Sequence, residues 1–416
     1  MSSLRGAALR CRFCKAPVSR SFVDLGMQPL SNAYVDRVSA DRMEPFYPLH
    51  AYVCEACLLV QVPELQSPER IFTDYAYLSS MSDSWLEHNE QHALRMIDML
   101  HLGTHSLVVE VASNDGYLLR NFKEKGIPVL GIEPAANVAV IAEAAGVRTL
   151  AKFFGTKLAA ELAEGGQRAD LLVGNNVLAH VPDLNDFVRG LAVILAPRGV
   201  LTMEFPHLGR LLKEKQFDTI YHEHFSYFSF GTVERVFAAH DLKLFDVEEL
   251  PTHGGSLRIY ACHADRPERH ISPHVQELRE REQAEGGVSL EAYAHFAEDV
   301  REVKLKLLEF LIGRKREGKT IVAYGAAAKG NTLLNYCGIR EDFIDYVVDR
   351  SRFKQGKLLP GSRIPIEAPE RIRETRPDYV LVLPWNLKEE ISAQLSFVRE
   401  WGGQLVVPIP TVSILP

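Results

Sequence analysis

The chain has 416 residues, room for roughly three domains at about 150 residues each. Hydrophobic residues make up 46% and charged residues 24%, which excludes a disordered chain, a collagen-like repeat and a coiled-coil rod. The 47 Lys+Arg stand against 54 Asp+Glu for a net charge of −7, with no long run of like charge, so neither nucleic acid nor a membrane surface is an expected partner.

In chain order, the N-terminus carries arginines without the apolar stretch of a signal peptide, and no later segment is long and apolar enough for a membrane span. A cytoplasmic protein is expected. Residues 1–75 are rich in turn formers around short β-like runs at 49–53 and 58–62, bracketed by Cys11-x2-Cys14 and Cys54-x2-Cys57. Four thiolates can close a tetrahedral zinc shell, and each pair can be presented by one tight turn. Cys11, Cys14, Cys54 and Cys57 are therefore expected to hold a structural zinc, although residues 15–53 make a longer gap than compact zinc ribbons use. Cys262 and Cys337 read as lone core thiols.

From residue 106 apolar runs of strand length alternate with helical segments: 107–111, 129–132, 171–173, 200–205, and a late strand at 256–261. That alternation predicts an α/β fold with a mostly parallel sheet between helices. Residues 266–316 read as a helical connector, with Val303, Leu307, Phe310 and Leu311 at helical spacing. Beyond Gly318 the alternation resumes at 321–324, 344–348, 379–383 and 405–407, predicting a second α/β domain.

The first strand of the middle part ends in Glu110 and opens a loop with Ala112, Asn114, Asp115 and Gly116. A dinucleotide fold would place G-x-G-x-x-G there, but only Gly116 is glycine, and an acidic strand end repels phosphate. It suits a ligand with an ammonium and a sulfonium, such as S-adenosylmethionine (SAM). Glu133 closes the next strand, where an acidic residue accepts ribose hydroxyls, and Pro134 follows it. Phe153 or Phe154 can cover the adenine, and Asn175 and Asn176 end a fourth strand facing the same crevice.

Tyr221-His222-Glu223-His224-Phe225, with His180, makes a third cluster. It lacks the H-E-x-x-H spacing of a helical metal site, so acid–base work is the expected role. A fourth feature, Tyr324 to Thr332, is a small-residue loop without the lysine placement of an ATPase phosphate loop; Lys329, Gly330 and Asn331 lie in it, and Lys354 and Lys357 follow the next strand. Such a loop can hold an anion.

These motifs together resemble the SAM-dependent C-methyltransferases that act on nucleotide-linked 4-keto-deoxysugars, including enzymes of the tetronitrose and kijanose pathways. The resemblance spans nearly the whole chain. It runs from the first Cys pair and Asp24-Leu25-Gly26-x-Gln28-Pro29-Leu30-Ser31 through Gly131-Ile132-Glu133-Pro134, Glu223-His224-Phe225, His253-Gly254-Gly255 and Tyr324 to Lys329. It implies a zinc-binding domain over 1–75 and a class I methyltransferase Rossmann-like domain over 76–265. Over 266–416 it implies a connector and a second Rossmann-like α/β domain that contacts the nucleotide-sugar.

Carried over by position, His224 matches the family's base, Glu223 stands beside it, and Tyr75, His180 and Tyr221 surround the sugar. Asn176, Lys329, Gly330, Asn331 and Lys354 fall on the nucleotide-sugar side, although Gly330-Asn331 and His222 are not shared by every member. A C4 carbonyl acidifies the hydrogens at C3 and C5, so one base can make an enolate that attacks the SAM methyl; C3 is the expected position. The nucleotide is taken as dTDP, with GDP or CDP open, and the chain as a monomer. An NAD-dependent sugar-modifying enzyme and a non-catalytic zinc-containing binding protein are the alternatives.

Overall fold

The computed structural model describes residues 9–69, 78–284 and 289–416; Tyr75 lies outside them. The N-terminal lobe is built on two antiparallel strands, Arg20–Gln28 and Tyr47–Val53, with Arg20 opposite Val53 and Gln28 opposite Tyr47. In the second strand Leu49, Ala51 and Val53 are buried and the residues between them are partly open, the period-two pattern of a sheet with one covered face. Phe22 of the first strand stacks on Phe296, with ring centroids 4.8 Å apart, at the start of the long helix Phe296–Arg316.

That helix is the last of three described in the predicted connector 266–316, after Pro273–Ala284 and Leu290–Ala294. It buries Phe296, Val300, Val303, Leu307 and Leu311, a stripe at three- and four-residue spacing. Phe310 stands at the edge of the stripe, edge-on to Tyr379 at 5.4 Å.

The middle sheet has seven strands in the spatial order Leu242–Leu250, Ser256–His263, Leu195–Pro206, Ala169–Asn175, Val108–Val111, Val129–Ile132 and Thr149–Leu150. The five strands from Leu195–Pro206 onward are parallel, and the first two close that edge as an antiparallel hairpin. Val108–Val111 is wholly buried, as a central parallel strand covered on both faces must be. The chain winds outward from it to Thr149–Leu150 and then returns to its other side at Ala169–Asn175, so strand order reverses between the two. Ligands of open α/β sheets bind at the carboxyl ends flanking such a reversal.

The C-terminal sheet has six strands in the order Ile366–Glu367, Val347–Val348, Ile321–Tyr324, Tyr379–Val382, Gln404–Val407 and Ser413–Ile414, parallel except for the last. Two small pairings tie the three parts together. Ser226–Tyr227 of the middle domain adds to Val60–Gln61 in the N-terminal sheet, and Val35–Asp36 of the N-terminal lobe pairs with Lys357–Leu358 of the C-terminal domain. No helix among the described residues is long and apolar enough to cross a membrane.

Candidate active site and metal centre

The two cysteine pairs form matching turns. Lys15 N donates to Cys11 O and Leu58 N to Cys54 O, and Lys15 and Leu58 both adopt the left-handed conformation, at φ 61° and 63°. Each turn brings two sulfurs to one side, and all four Sγ atoms lie within 4.8 Å of one another, with Cys11–Cys57 and Cys14–Cys54 at 3.5 Å. Tetrahedral thiolates bound at about 2.3 Å from zinc stand about 3.8 Å apart. The quartet is gathered close to that spacing, and four thiolates would leave no open ligand position, as a structural zinc requires.

At the carboxyl end of Val108–Val111 the loop turns sharply. Ala112, Asn114 and Gly116 take positive φ of 59°, 49° and 77°. A side chain at Gly116 would also meet Val147 at 3.0 Å, so glycine is favoured there on both counts. Glu133, at the end of the neighbouring strand, braces the loop by accepting from the amides of Asn114 at 3.0 Å and Ala135 at 2.9 Å. Burial, with Asp115 close by, raises its pKa above the ordinary carboxylate value.

Glu110 is fully buried, and neither oxygen has a hydrogen bond of full geometry. Burial pushes its pKa well up, and the charges of Glu133 and Asp115 add to that, with the Tyr117 hydroxyl opposing. Asp115 Oδ1, Asn175 Oδ1 and Asn176 Oδ1 are likewise buried without partners. These atoms are acceptors, so the crevice calls for a ligand rich in donors and positive charge. The ammonium and ribose hydroxyls of SAM supply that; a pyrophosphate would bring more acceptors. The segment just before helix Asp83–Leu100 closes over the loop, with Ser79 N donating to Asn114 Oδ1 at 2.8 Å and Ser80 N to Asp115 Oδ2 at 3.2 Å. Asn175 Nδ2 donates to Asn89 Oδ1 of that helix at 2.8 Å. Pro134 is half-buried beside Glu133, Phe153 is 43% exposed, and Phe154 packs edge-on to Phe187 at 5.5 Å.

The histidine cluster divides in two. His222 turns toward the N-terminal lobe, with Nε2 3.2 Å from Pro48 O. His224 turns the other way: Nδ1 lies 2.8 Å from Thr219 O, and the ring lies tilted by 32° against Tyr221 at 4.0 Å and meets His180 edge-on at 4.6 Å. A carbonyl only accepts, so Nδ1 carries the proton and Nε2 keeps its lone pair. Burial holds the His224 pKa well below the ordinary value, with the neighbouring His180, His253 and Lys329 also disfavouring a second proton against the Thr219 hydrogen bond, so the ring is neutral at physiological pH. Burial also lowers His180 to about 4, against its hydrogen bond to the Glu223 backbone. The Glu223 carboxylate does not touch His224. It accepts from Asn32 Nδ2 at 2.8 and 3.0 Å, and burial raises it to about 7.

The C-terminal domain reaches this cluster through Lys329, whose ammonium donates to Asn386 Oδ1 at 2.7 Å and lies 4.8 Å from the Trp385 ring centroid. Burial lowers its pKa, with Asp218 opposing. Gly330 packs its bare Cα against Leu383, and Asn331 Nδ2 donates to Ser31 O of the N-terminal lobe at 2.6 Å. Lys354 donates to Ala326 O at 2.9 Å, the same oxygen that accepts from the Tyr34 hydroxyl at 2.6 Å. Asn331 and Tyr34 thus fasten the N-terminal lobe to the C-terminal loop, with the Lys354 ammonium 5.3 Å from the Tyr34 ring centroid. The expected position Tyr75 falls outside the described residues.

Sequence reading assigned no role to His253, Trp385, Asp218, Asn32 or Trp85. His253 lies beside Asn176, Nε2 to Nδ2 3.0 Å, and edge-on to Trp85 at 5.2 Å. Its signal was the His253-Gly254-Gly255 triplet, while the others carry no motif of their own.

Three family models match the chain: a zinc binding domain over residues 11–72, a methyltransferase domain over 86–247 and a C-methyltransferase C-terminal domain over 251–410. C-methyltransferase NovU of Streptomyces niveus is 35% identical over 405 residues, which cover 97% of this chain and 96% of that protein. Among solved structures, a SAM-dependent methyltransferase from Clostridium acetobutylicum aligns with TM-score 0.35 at 10% identity, over 43% of this chain and 92% of its own. Magnesium protoporphyrin IX methyltransferase from Synechocystis with bound SAM aligns with TM-score 0.33 at 15% identity, over 47% of this chain and 88% of its own. Both likenesses span less than half of the chain.

Proposed function

The chain belongs to the C-methyltransferase family of NovU, and from that premise we propose that it methylates C3 of a nucleotide-linked 4-keto-6-deoxysugar through an enolate made by His224. One observation carries the reading: Thr219 O accepts a hydrogen bond from His224 Nδ1–H, leaving the Nε2 lone pair to receive a proton in a site where the ring stays neutral. A methyltransferase acting on oxygen or nitrogen already has its nucleophile; one acting on carbon must first remove a C–H proton. With the family established, the NAD-dependent and non-catalytic alternatives fall away.

SAM supplies the electrophilic methyl carbon. Around it, Glu133 would take the ribose hydroxyls on lone pairs left over from its two amide bonds, and Glu110, Asp115 and Asn175 would face the donors and positive charge. Ala112, Asn114 and Gly116 let backbone approach the ligand, with Pro134 and Phe153 or Phe154 beside the adenine. His224 removes the C3 proton while Tyr221 and His180 hold its ring and border the sugar. Glu223, raised to about 7, would share a proton with the site near neutral pH. Lys329 would meet the anionic nucleotide portion, with Asn176, Gly330, Asn331 and Lys354 shaping that side.

The resemblance to the tetronitrose and kijanose enzymes favours C3 over C5 and dTDP over GDP or CDP. A cytoplasmic monomer completes the proposal. The test is incubation with SAM and a panel of nucleotide-linked 4-keto-6-deoxysugars. A product heavier by one methylene, with the new methyl located at C3 by NMR, is expected; methyl transfer to oxygen or nitrogen would overturn the reading.

A further inference from the structure

We propose that His253 is a catalytic residue, the hydrogen-bond donor that stabilises the negative charge developing on the sugar's C4 oxygen; this rests on the enolate reading above. The first reason is its tautomer. Asn176 Nδ2 can only donate, so His253 Nε2, 3.0 Å away, accepts, and the proton of the neutral ring sits on Nδ1. No hydrogen bond among the described residues engages that Nδ1. His224 is set the opposite way, with its proton directed to Thr219 and its lone pair outward. One neutral ring is thus set to accept a proton and the other to donate a hydrogen bond, the pair of functions that proton abstraction beside a carbonyl requires. Burial keeps His253 at about 4, next to Lys329, so its ring is neutral when the base works.

The second reason is the backbone. His253 sits at φ 54° and ψ 19°, followed by positive φ at Gly254 (93°) and Gly255 (118°). Left-handed geometry at a non-glycine residue costs energy and persists only where surroundings enforce it, as functional sites commonly do. Here they enforce it on several sides. Thr252 Oγ1 donates to Glu204 Oε1 at 2.7 Å, Gln216 Nε2 donates to Gly254 O at 2.7 Å, and His207 N donates to Gly255 O at 3.0 Å. A side chain at Gly254 would meet Trp385 at 2.6 Å, so the loop is also pressed by the C-terminal domain. The ring is held between Trp85 and Asn176, and the charged and titratable groups around it are Lys329, Glu204, His88 and His224.

In the step, His224 Nε2 takes the C3 proton, the C–H electron pair becomes the C3–C4 double bond, and the carbonyl π electrons move to O4, which accepts from His253 Nδ1–H. On methyl transfer the C3–CH3 bond forms, the S–CH3 bond breaks and the carbonyl returns.

The experiment is His253→Asn, since asparagine tolerates the left-handed conformation. Proton exchange at C3 in deuterium oxide without SAM, and kcat and KM with SAM, are read together. Exchange and kcat are expected to fall about a hundredfold, as for loss of an oxyanion donor, with sugar KM within a few-fold and SAM affinity unchanged. In Asn176→Asp the carboxylate only accepts, so the His253 proton moves to Nε2, and exchange is expected to fall although the ring remains. Exchange at the wild-type rate in either variant, or a change in KM alone, overturns the proposal. Exchange by the wild type that persists in His253→Asn overturns this inference alone; a wild type that neither exchanges nor methylates any keto-sugar overturns the enolate reading with it.

Discussion

Trp385 Nε1 donates a 2.7 Å hydrogen bond to the buried Asp218 carboxylate, so the C-terminal domain grips the turn Phe217–Thr219 whose last carbonyl orients His224. Burial raises Asp218 to about 6, against the opposing Lys329 and Trp385. Trp385→Phe leaves a buried acceptor unpaired, at about 1–3 kcal/mol. The variant should melt earlier than wild type and lose about tenfold in kcat, with SAM affinity retained. Wild-type kcat would show that the turn holds His224 without the C-terminal domain.

The cysteine quartet implies about one zinc per chain. Cys11→Ser should bring the ratio measured by elemental analysis close to zero and expose residues of the N-terminal lobe to protease first. The damage should extend beyond that lobe, because Val60–Gln61 pairs with Ser226–Tyr227 just after His224.

Glu133→Ala should weaken SAM binding about ten- to hundredfold in calorimetric titration, since hydrogen bonds to a charged group contribute roughly 1.5–3 kcal/mol. The two amides it braces, at Asn114 and Ala135, would lose their acceptor, so the loop should also gain hydrogen exchange.

Glu223 gives a pH signature. Burial raises its folded pKa to about 7 from an ordinary 4.5, so between those values the folded state binds the proton more tightly than the unfolded chain. Its contribution to stability therefore falls as pH rises through that window and levels off above it, a span of about 3 kcal/mol. Glu223→Gln carries no such proton. The stability difference, variant minus wild type, should grow from pH 5 to pH 8 in denaturant titrations; a flat difference would mean Asn32 fully compensates the ionised carboxylate.

The seven-stranded and six-stranded sheets were legible because their central strands are short, fully buried runs such as Val108–Val111 and Ile321–Tyr324. The hairpin strand Leu242–Leu250 escaped notice since one face is open and Asp246, Glu248 and Glu249 break its apolar run. In the 344–348 run the strand is only Val347–Val348, with Asp345 N and Tyr346 O also bonded to Ile321 and Ala323, while Ile344 N donates back to Arg340 O in the preceding turn. The cysteine quartet and the strand-end acids were readable from spacing. What spacing could not carry is contact between distant segments: that Glu223 faces Asn32 rather than its neighbour His224, or that Trp385 meets Asp218, depends on how three sheets dock.

The central claim is that His224 makes the nucleophile. The most direct measurement is proton exchange at C3 of a nucleotide-linked 4-keto-6-deoxysugar in deuterium oxide, without SAM, by wild type and His224→Asn. Loss of a general base costs about 10²–10⁴-fold, so exchange should collapse in the variant while SAM and sugar affinities stay near wild type. Exchange at the wild-type rate in His224→Asn would contradict the claim and move the base to another residue of the cluster.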